Sequence, residues 1–394
     1  MKNKLKIASL FSGCGGLDLG FLGGFNYRQR SFKRLPTEVV FSNDIDSAAV
    51  NAYNANKDFF AHNAVQGDIR SIATSDIPNH DILIAGFPCQ PFSNAGLRRG
   101  ISDSRGNLFE ECERIIAQKI KFGYAPKAFV FENVKGILSS KMENGVTIPE
   151  EIKTRMEALG YTTDYHLIKA CDYAAPTDRQ RVLFVGIHRA KQKFDFSMLD
   201  NTVKKYNLPS AKQNPFDLLL GSILQDIPKD SDGYSAYWAY SPSGQFMVDN
   251  IGPCIAGKKY LKYFVNNNSI DKLPKQIFEG RSWKDMNPSL YSPRFRKIYE
   301  DPKRYHSPKF YRRFGLGEIV GTMTASAQPE NCGITHPFEN RRFTIREVAR
   351  IQSFPDEFKI PYTTIADAYK VLGNAVPPIM SWVIAESLIE YLGA

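Results

Sequence analysis

Lys6-Ile-Ala-Ser-Leu-Phe-Ser-Gly-Cys-Gly-Gly16 sets the reading of everything that follows it. Residues 6–10 form a short apolar run of strand length. It breaks into the glycine-rich turn Phe11-Ser-Gly-Cys-Gly-Gly16, which opens a helix. Such a turn lets the backbone double back and brings N–H groups to a helix N-terminus, where a nucleotide-type ligand can lie. A plain tight turn would use the same glycines, so the motif needs support from elsewhere in the chain.

Outward from this turn, strand-like runs alternate with helical stretches. Glu38-Val-Val-Phe-Ser42, Asp81-Ile-Leu-Ile-Ala85, Lys127-Ala-Phe-Val-Phe131 and Arg181-Val-Leu-Phe-Val-Gly-Ile187 read as strands, several of them apolar on both faces as buried parallel strands are. Residues 46–56, 108–120 and 149–159 carry apolar residues at helical spacing. The alternation predicts an α/β fold with a doubly wound, mixed but mostly parallel sheet. Asn43-Asp44-Ile45-Asp46 ends the second strand, where a carboxylate can accept from ribose hydroxyls, and Gly67-Asp68-Ile69 follows the third unit. Gly-x-Gly-Gly is not the G-x-G-x-x-G dinucleotide fingerprint, and these elements alone leave a dinucleotide and S-adenosylmethionine both open.

After about residue 190 the chain turns rich in Pro, Asn, Ser, Tyr and Lys, with turn signals such as Ser241-Pro-Ser-Gly244, which predicts a smaller, loop-rich domain. Helical periodicity returns at 344–353 and 379–392. The expected division is 1–190 plus 366–394 for one domain and 191–365 for the other. The basic segment Asn26-Tyr-Arg-Gln-Arg-Ser-Phe-Lys-Arg34 reads as a solvated loop between the first two strand–helix units.

The chain has 394 residues, 43% hydrophobic and 23% charged, a globular composition and long enough for two domains. Lys plus Arg exceed Asp plus Glu by 51 to 41, so an acidic partner is expected, either nucleic acid or an anionic membrane surface. No apolar run reaches the roughly 20 residues of a spanning helix, and the first residues lack the apolar stretch of a secretory signal. A cytoplasmic, nucleoid-associated protein without membrane contact is expected. The six cysteines are scattered, without a C-x-x-C pair or a His at zinc spacing, so neither disulfides nor a metal site is expected.

Gly86-Phe-Pro-Cys-Gln-Pro-Phe-Ser93 lies just past the C-terminal end of a predicted strand, where open α/β sheets place their chemistry. Cys89 on a rigid turn suits a nucleophile, although a free cysteine is more commonly a small core residue. It has company: Glu132-Asn-Val134 follows the next strand, Arg179-Gln-Arg181 opens a later one, and Gly373-Asn374 precedes the last helix.

In these blocks the sequence resembles the DNA cytosine-5 methyltransferase family of bacterial restriction–modification type. Matched in order are Phe11-Ser-Gly-Cys-Gly-Gly16, Asp44, Asp68, Pro88-Cys-Gln90, Glu132-Asn-Val134, Arg179-Gln-Arg181, Arg346-Glu-Val-Ala-Arg-Ile-Gln-Ser-Phe-Pro355 and Gly373-Asn374. The resemblance implies the class I S-adenosylmethionine-dependent methyltransferase fold. It makes Cys89 the thiolate that adds to cytosine C6, Glu132 the group on N3 and the exocyclic amine, Arg181 the contact to O2, and Arg179 a brace for the nucleophile region. For S-adenosylmethionine (product S-adenosylhomocysteine) it implies Phe11 as an adenine wall, Gly13, Gly15 and Gly16 at the methionine end, Asp44 on the ribose, and Asp68 on the adenine amine. Ile45, Ile69 and Pro88 complete that site, and Asn374 meets the carboxylate. Ile45 stands where many relatives carry an aromatic, and Thr177 where a Gln commonly precedes the Arg pair.

The same resemblance implies duplex DNA as partner, a flipped-out target base, and no metal; a monomer is expected. Gln90, Ser93, Arg98, Arg99 and Arg105 are expected at the DNA, the three arginines on residues 94–106, a glycine-punctuated basic loop that reads as a closing lid. The resemblance makes 191–365 the target-recognition domain, where Arg294, Arg296, Arg312, Arg313, Thr322 and Thr324 are candidate contacts. The tRNA cytosine-5 branch shares most blocks but carries Cys-Phe-Thr, and no cysteine here precedes Phe-Thr. A nucleotide-dependent oxidoreductase would leave Cys89, Glu132 and the arginines unexplained. Residues 256–350 hold 19 Lys plus Arg against 9 Asp plus Glu, so this stretch carries the whole positive excess.

Overall fold

The computed structural model describes residues 4–88, 108–142, 144–228, 233–254, 258–265, 269–301, 310–328 and 333–393. The chain forms two compact units, one of residues 1–169, 180–207 and 376–394, the other of residues 170–179 and 208–375. Relative to the expected division, 191–207 pass to the first unit, and 170–179 and 366–375 to the second. The first transfer has a clear cause: the Ser197–Lys205 helix packs on the Pro378–Leu392 helix, where Thr202 Oγ1 and Ser387 Oγ meet at 2.7 Å inside the core.

The first unit is built on a seven-stranded sheet. Its strands are β1 (Leu5–Leu10), β4 (Thr37–Asp44), β5 (Val65–Gln66), β6 (Ile82–Ala85), β7 (Ala128–Val134), β8 (Tyr161–Lys169) and β10 (Gln180–His188), in the order β5-β4-β1-β6-β7-β10-β8. All neighbours are parallel except that β10 runs antiparallel to both β7 and β8. The expected mostly parallel α/β sheet is therefore present, with β10 as its one reversed strand. β6 is buried along its whole length and β7 along all but its last residue, as strands covered on both faces must be. One core cluster gathers Leu83, Phe87, Phe109, Ile115, Phe129 and Phe131 around them.

The basic segment 26–34 is not a solvated loop. It forms the hairpin β2 (Phe25–Tyr27) and β3 (Arg30–Phe32), whose rings Phe25 and Phe32 stack at 5.0 Å. Phe32 meets Trp382 edge-on at 5.3 Å, Trp382 Nε1 donates to Lys33 O, and Lys33 pairs with buried Glu386 at 2.9 Å. These contacts fasten the hairpin to the Pro378–Leu392 helix. Residues Ile365–Leu392 are long and apolar enough to cross a membrane, but 94% of the most apolar window is buried, as in a core helix.

The second unit is loop-rich, as its turn signals predict. Its one ordered strand pair among the described residues is β9 (Thr177–Asp178) beside β11 (Val320–Gly321). Short helices surround a core of Met247, Val248, Ile251, Trp283, Met286, Tyr291 and Phe310.

Candidate active site

Strand register fixes what gathers at one edge of the first unit's sheet. Leu10 pairs with Asn43 and with Ala85, and Ala85 with Phe131, so β1 and β6 end level with each other while β4 and β7 run on past them. Phe11 to Gly13 and Gly86 to Pro88, just beyond β1 and β6, therefore share the carboxyl edge of the sheet with Asp44 at the end of β4 and Glu132 near the end of β7. β10 enters at this edge because it is antiparallel: Arg181 pairs with Val134, one step of the pleat from Glu132.

Glu132 and Arg181 meet there. Arg181 Nε lies 2.5 Å from Glu132 Oε1, and both side chains are about nine-tenths buried. The Nε–H is not directed along that line, so Nε and Oε1 are in ionic contact while neither makes a hydrogen bond. Arg181 Nη1 donates to Gln180 O at 2.7 Å. A buried donor and a buried acceptor are thus left side by side for a further polar group.

Cys89 and Gln90 lie outside the described residues, as do Ser93, Arg98, Arg99 and Arg105. The turn that delivers Cys89 is described as far as exposed Pro88. Phe87 is buried against Phe109 and Phe131, and its carbonyl accepts from Asn133 Nδ2 at 3.0 Å. A Cβ on Gly86 would come within 3.5 Å of Glu132 Oε2, so this turn runs beside the carboxylate. Asn133 is a positioning residue that motif reading passes over, although it stands inside the quoted Glu132-Asn-Val134 block.

The glycine turn separates two jobs. Gly13, at φ 57°, has open space where a Cβ would stand, and its N–H donates to Asp44 Oδ2 at 2.8 Å. Gly15, at φ 87°, has no such room: a Cβ would fall 2.5 Å from Phe60 and 2.8 Å from Tyr53, two rings stacked at 4.0 Å. Gly13 leaves room for a ligand, whereas Gly15 is required by packing. Gly16 begins the Gly16–Leu22 helix. Asp44 also accepts from Asp46 N through Oδ1, and burial pushes its carboxyl above the usual range. Ile45 is 66% exposed, a bare apolar face beside Asp44, and Phe11 is half-buried at φ 54°.

Three expected ligand or catalytic residues have partners within their own units. Ile69 is a core residue, 2% exposed, whose carbonyl accepts from Arg114. Asp68 is held by Arg70 at 2.5 Å, and these hydrogen bonds keep its carboxyl below the usual range. Arg179, expected to brace the nucleophile, belongs to the second unit and is 2% exposed. Its Nη1 donates to Gly373 O at 2.8 Å and Met323 O at 3.3 Å, and Nη2 donates to Asn374 O at 3.2 Å. It clamps the end of the Ile365–Asn374 helix, where a cation suits the carbonyl ends, and Asn374 itself is exposed.

Below the glycine turn sits a cluster that sequence reading missed. Asp18, fully buried, accepts from Ser9 Oγ at 2.5 Å, Ser42 Oγ at 2.8 Å and Tyr53 OH at 2.9 Å. It ties β1 and β4 to the two helices that flank the turn. The available signal was an acid inside a helix with every residue buried. Burial raises its carboxyl to about 6. A carboxyl raised in the folded state contributes stability that is full below the unfolded value near 3.9 and is lost as pH rises through 6. Asp18→Asn removes this titration. Its stability relative to the parent is expected to improve by roughly 2–3 kcal/mol between pH 4 and pH 7, measured by urea unfolding at both values.

Among the candidate DNA contacts, Arg294 and Arg296 are exposed on the Pro293–Glu300 helix, capped by Ser292. Arg313 is not available: it is fully buried and donates to His336 O, Glu339 O, Val248 O and Asn340 Oδ1. Arg312 is paired with Glu318 at 2.5 Å. Thr322 Oγ1 reaches Asp178 O at 3.5 Å, and Thr324 Oγ1 lies 3.3 Å from Ser326 Oγ.

A family profile described as C-5 cytosine-specific DNA methylase matches residues 5–390. The Type II methyltransferase M.FnuDI of Fusobacterium nucleatum is 31% identical over 394 residues, covering 98% of this chain and 95% of its own. M.NgoPII of Neisseria gonorrhoeae is 30% identical over 393 residues, covering 99% and 97%. Among solved structures, a prophage-encoded DNA modification methyltransferase (E. coli) matches with TM-score 0.59 at 24% identity, covering 99% of this chain and all of its own. The S. pombe Dnmt2 methyltransferase matches with TM-score 0.59 at 16% identity over the same shares. These likenesses show the class I S-adenosylmethionine-dependent methyltransferase fold. Because the family match leaves neither unit outside it, the chain belongs to the C-5 cytosine-specific DNA methylase family and is a DNA cytosine-5 methyltransferase.

Proposed function

We propose that this protein methylates C5 of a cytosine flipped out of a specific short sequence of duplex DNA, through a covalent Cys89–C6 intermediate, as the modification partner of a restriction enzyme. The observation that carries this reading is the buried Glu132–Arg181 pair, whose Oε1 and Nε make no hydrogen bond. The polar edge of cytosine presents an amine, N3 and O2 in a row. Glu132 would hold the amine and N3, and Arg181 would donate to O2.

Cytosine C5 is a poor nucleophile until electron density enters the ring. Cys89 thiolate adds to C6 while Glu132 gives a proton to N3, which makes C5 carbanion-like. S-adenosylmethionine, when bound, supplies the electrophilic methyl group. Loss of the C5 proton and expulsion of Cys89 then restore the aromatic ring.

The residues fit that cofactor. Gly13 has open space above it, Ile45 offers a bare apolar face, and each Asp44 oxygen keeps a lone pair for a ribose hydroxyl after accepting its backbone N–H. The first unit would carry cofactor and chemistry, and the second, with its basic stretch 256–350, would track the duplex. Bisulfite sequencing of DNA from cells expressing the protein is expected to reveal protected cytosines within one short sequence. Transfer of labelled methyl groups to tRNA but not to duplex DNA would overturn the reading.

A further inference from the structure

One buried cation of the second unit makes no hydrogen bond to an oxygen among the described residues. Arg179, Arg313, Arg346 and Arg350 are also buried there, and each donates to at least two oxygens. Arg342 is 5% exposed, yet its Nε and Nη1 are sealed without a hydrogen bond, and it has no ion pair among the described residues. Its neighbour Arg341 takes both nearby acids, Glu339 and Glu347.

What surrounds Arg342 is a sleeve of rings. Its guanidinium carbon lies 4.7 Å from the Trp238 ring centroid and 4.8 Å from that of Tyr240. Tyr240 OH is anchored to Thr335 Oγ1 at 2.7 Å. Trp238 N donates to Tyr369 OH at 3.3 Å, and that hydroxyl donates to Phe343 O. The rings are therefore tied to the strand-like segment that carries Arg342. Two aromatic faces attract a cation but accept none of its N–H donors, and they leave those donors only the plane between them.

We propose that Arg342 is a phosphate-binding residue, held in its aromatic sleeve without a counter-ion so that it takes one phosphodiester of the DNA backbone. The choice of phosphate over base follows from reach. Base edges lie at the floor of a groove about 8.5 Å deep, which a recessed side chain cannot enter, whereas phosphates are the outermost groups of the duplex. The positive excess of residues 256–350 brings such an anion to this unit.

The inference rests on duplex DNA being the substrate, and the test separates the two. Binding of a mixed-sequence duplex is measured by fluorescence anisotropy across a salt series from about 50 to 200 mM, for the full-length protein and its Arg342→Met and Arg342→Lys variants. Arg342→Met is expected to bind about tenfold more weakly at low salt, with a slope of log K against log salt smaller by about 1. Its thermal midpoint should hold or rise, because an unpaired buried charge has been removed. Arg342→Lys keeps the charge and is expected to keep the parent slope. Unchanged affinity and slope in Arg342→Met, weaker binding with an unchanged slope, or equal loss of slope in both variants would overturn the proposal. Failure of the parent protein to bind duplex DNA would instead sink the proposed function.

Discussion

Cys89→Ala is expected to abolish methyl transfer, by on the order of 10⁴-fold or more, while duplex binding stays within a few-fold of the parent. The asymmetry follows from what the thiol does. It forms a bond that exists only after the base is in place, so its loss removes nothing from the encounter with DNA. The residues leading into it, as far as Pro88, are held by other groups, buried Phe87 and the Asn133 Nδ2 bond to Phe87 O. Asn133→Ala should accordingly lower the rate while leaving cofactor affinity unchanged. Because the catalytic groups act as a unit, Cys89→Ala combined with Glu132→Gln should be little worse than Cys89→Ala alone. Single-turnover transfer of labelled methyl groups, beside anisotropy on the same duplex, reads both quantities.

The second large effect belongs to the carboxylate. Glu132→Gln is expected to cost about 10²–10⁴-fold in rate, since the amide cannot supply the proton that N3 requires. Glu132→Ala should in addition cost stability, about 3–5 kcal/mol, because Arg181 is left as an unpaired charge with only 9% of its side chain exposed. Removing both charges, in Glu132→Ala with Arg181→Met, should recover much of that stability and none of the activity. Urea unfolding of the two variants separates the structural share of the pair from its chemical share. A Glu132→Gln protein with full activity would remove Glu132 from the proton path.

The sheet was legible because its central strands are apolar on both faces and are bounded by glycine and proline. β8 was not: Tyr161-Thr-Thr-Asp-Tyr-His-Leu-Ile-Lys169 is polar because it is an edge strand with β10 as its single neighbour. With β8 unseen, nothing in the sequence indicated that β10 must reverse, and that reversal is what brings Arg181 onto Glu132. Residue type also hides the use of an arginine. Arg179 reads as a brace for the nucleophile region and Arg313 as a DNA contact, yet both bind backbone carbonyls inside the second unit. Arg342, with no hydrogen-bond or ion-pair partner among the described residues, drew no notice beside them. Composition counts charges; burial and the direction of each N–H decide which of them remain for a ligand. Ile69 has its side chain in the core, and a motif position does not say whether the backbone or the side chain meets the ligand.

The central claim is that a sulfur–carbon bond from Cys89 to C6 activates the base, and 5-fluorocytosine tests it most directly. With fluorine at C5 there is no proton to lose after methylation, so expulsion of the thiol is blocked and the adduct persists. Incubation with S-adenosylmethionine and duplex DNA carrying 5-fluorocytosine in the methylated sequence should give a protein–DNA complex that survives denaturation. Mass spectrometry of its tryptic digest should place the nucleotide on the peptide that contains Cys89, and the complex should be absent from Cys89→Ala. No adduct from an active preparation, or an adduct that persists in Cys89→Ala, would contradict the account.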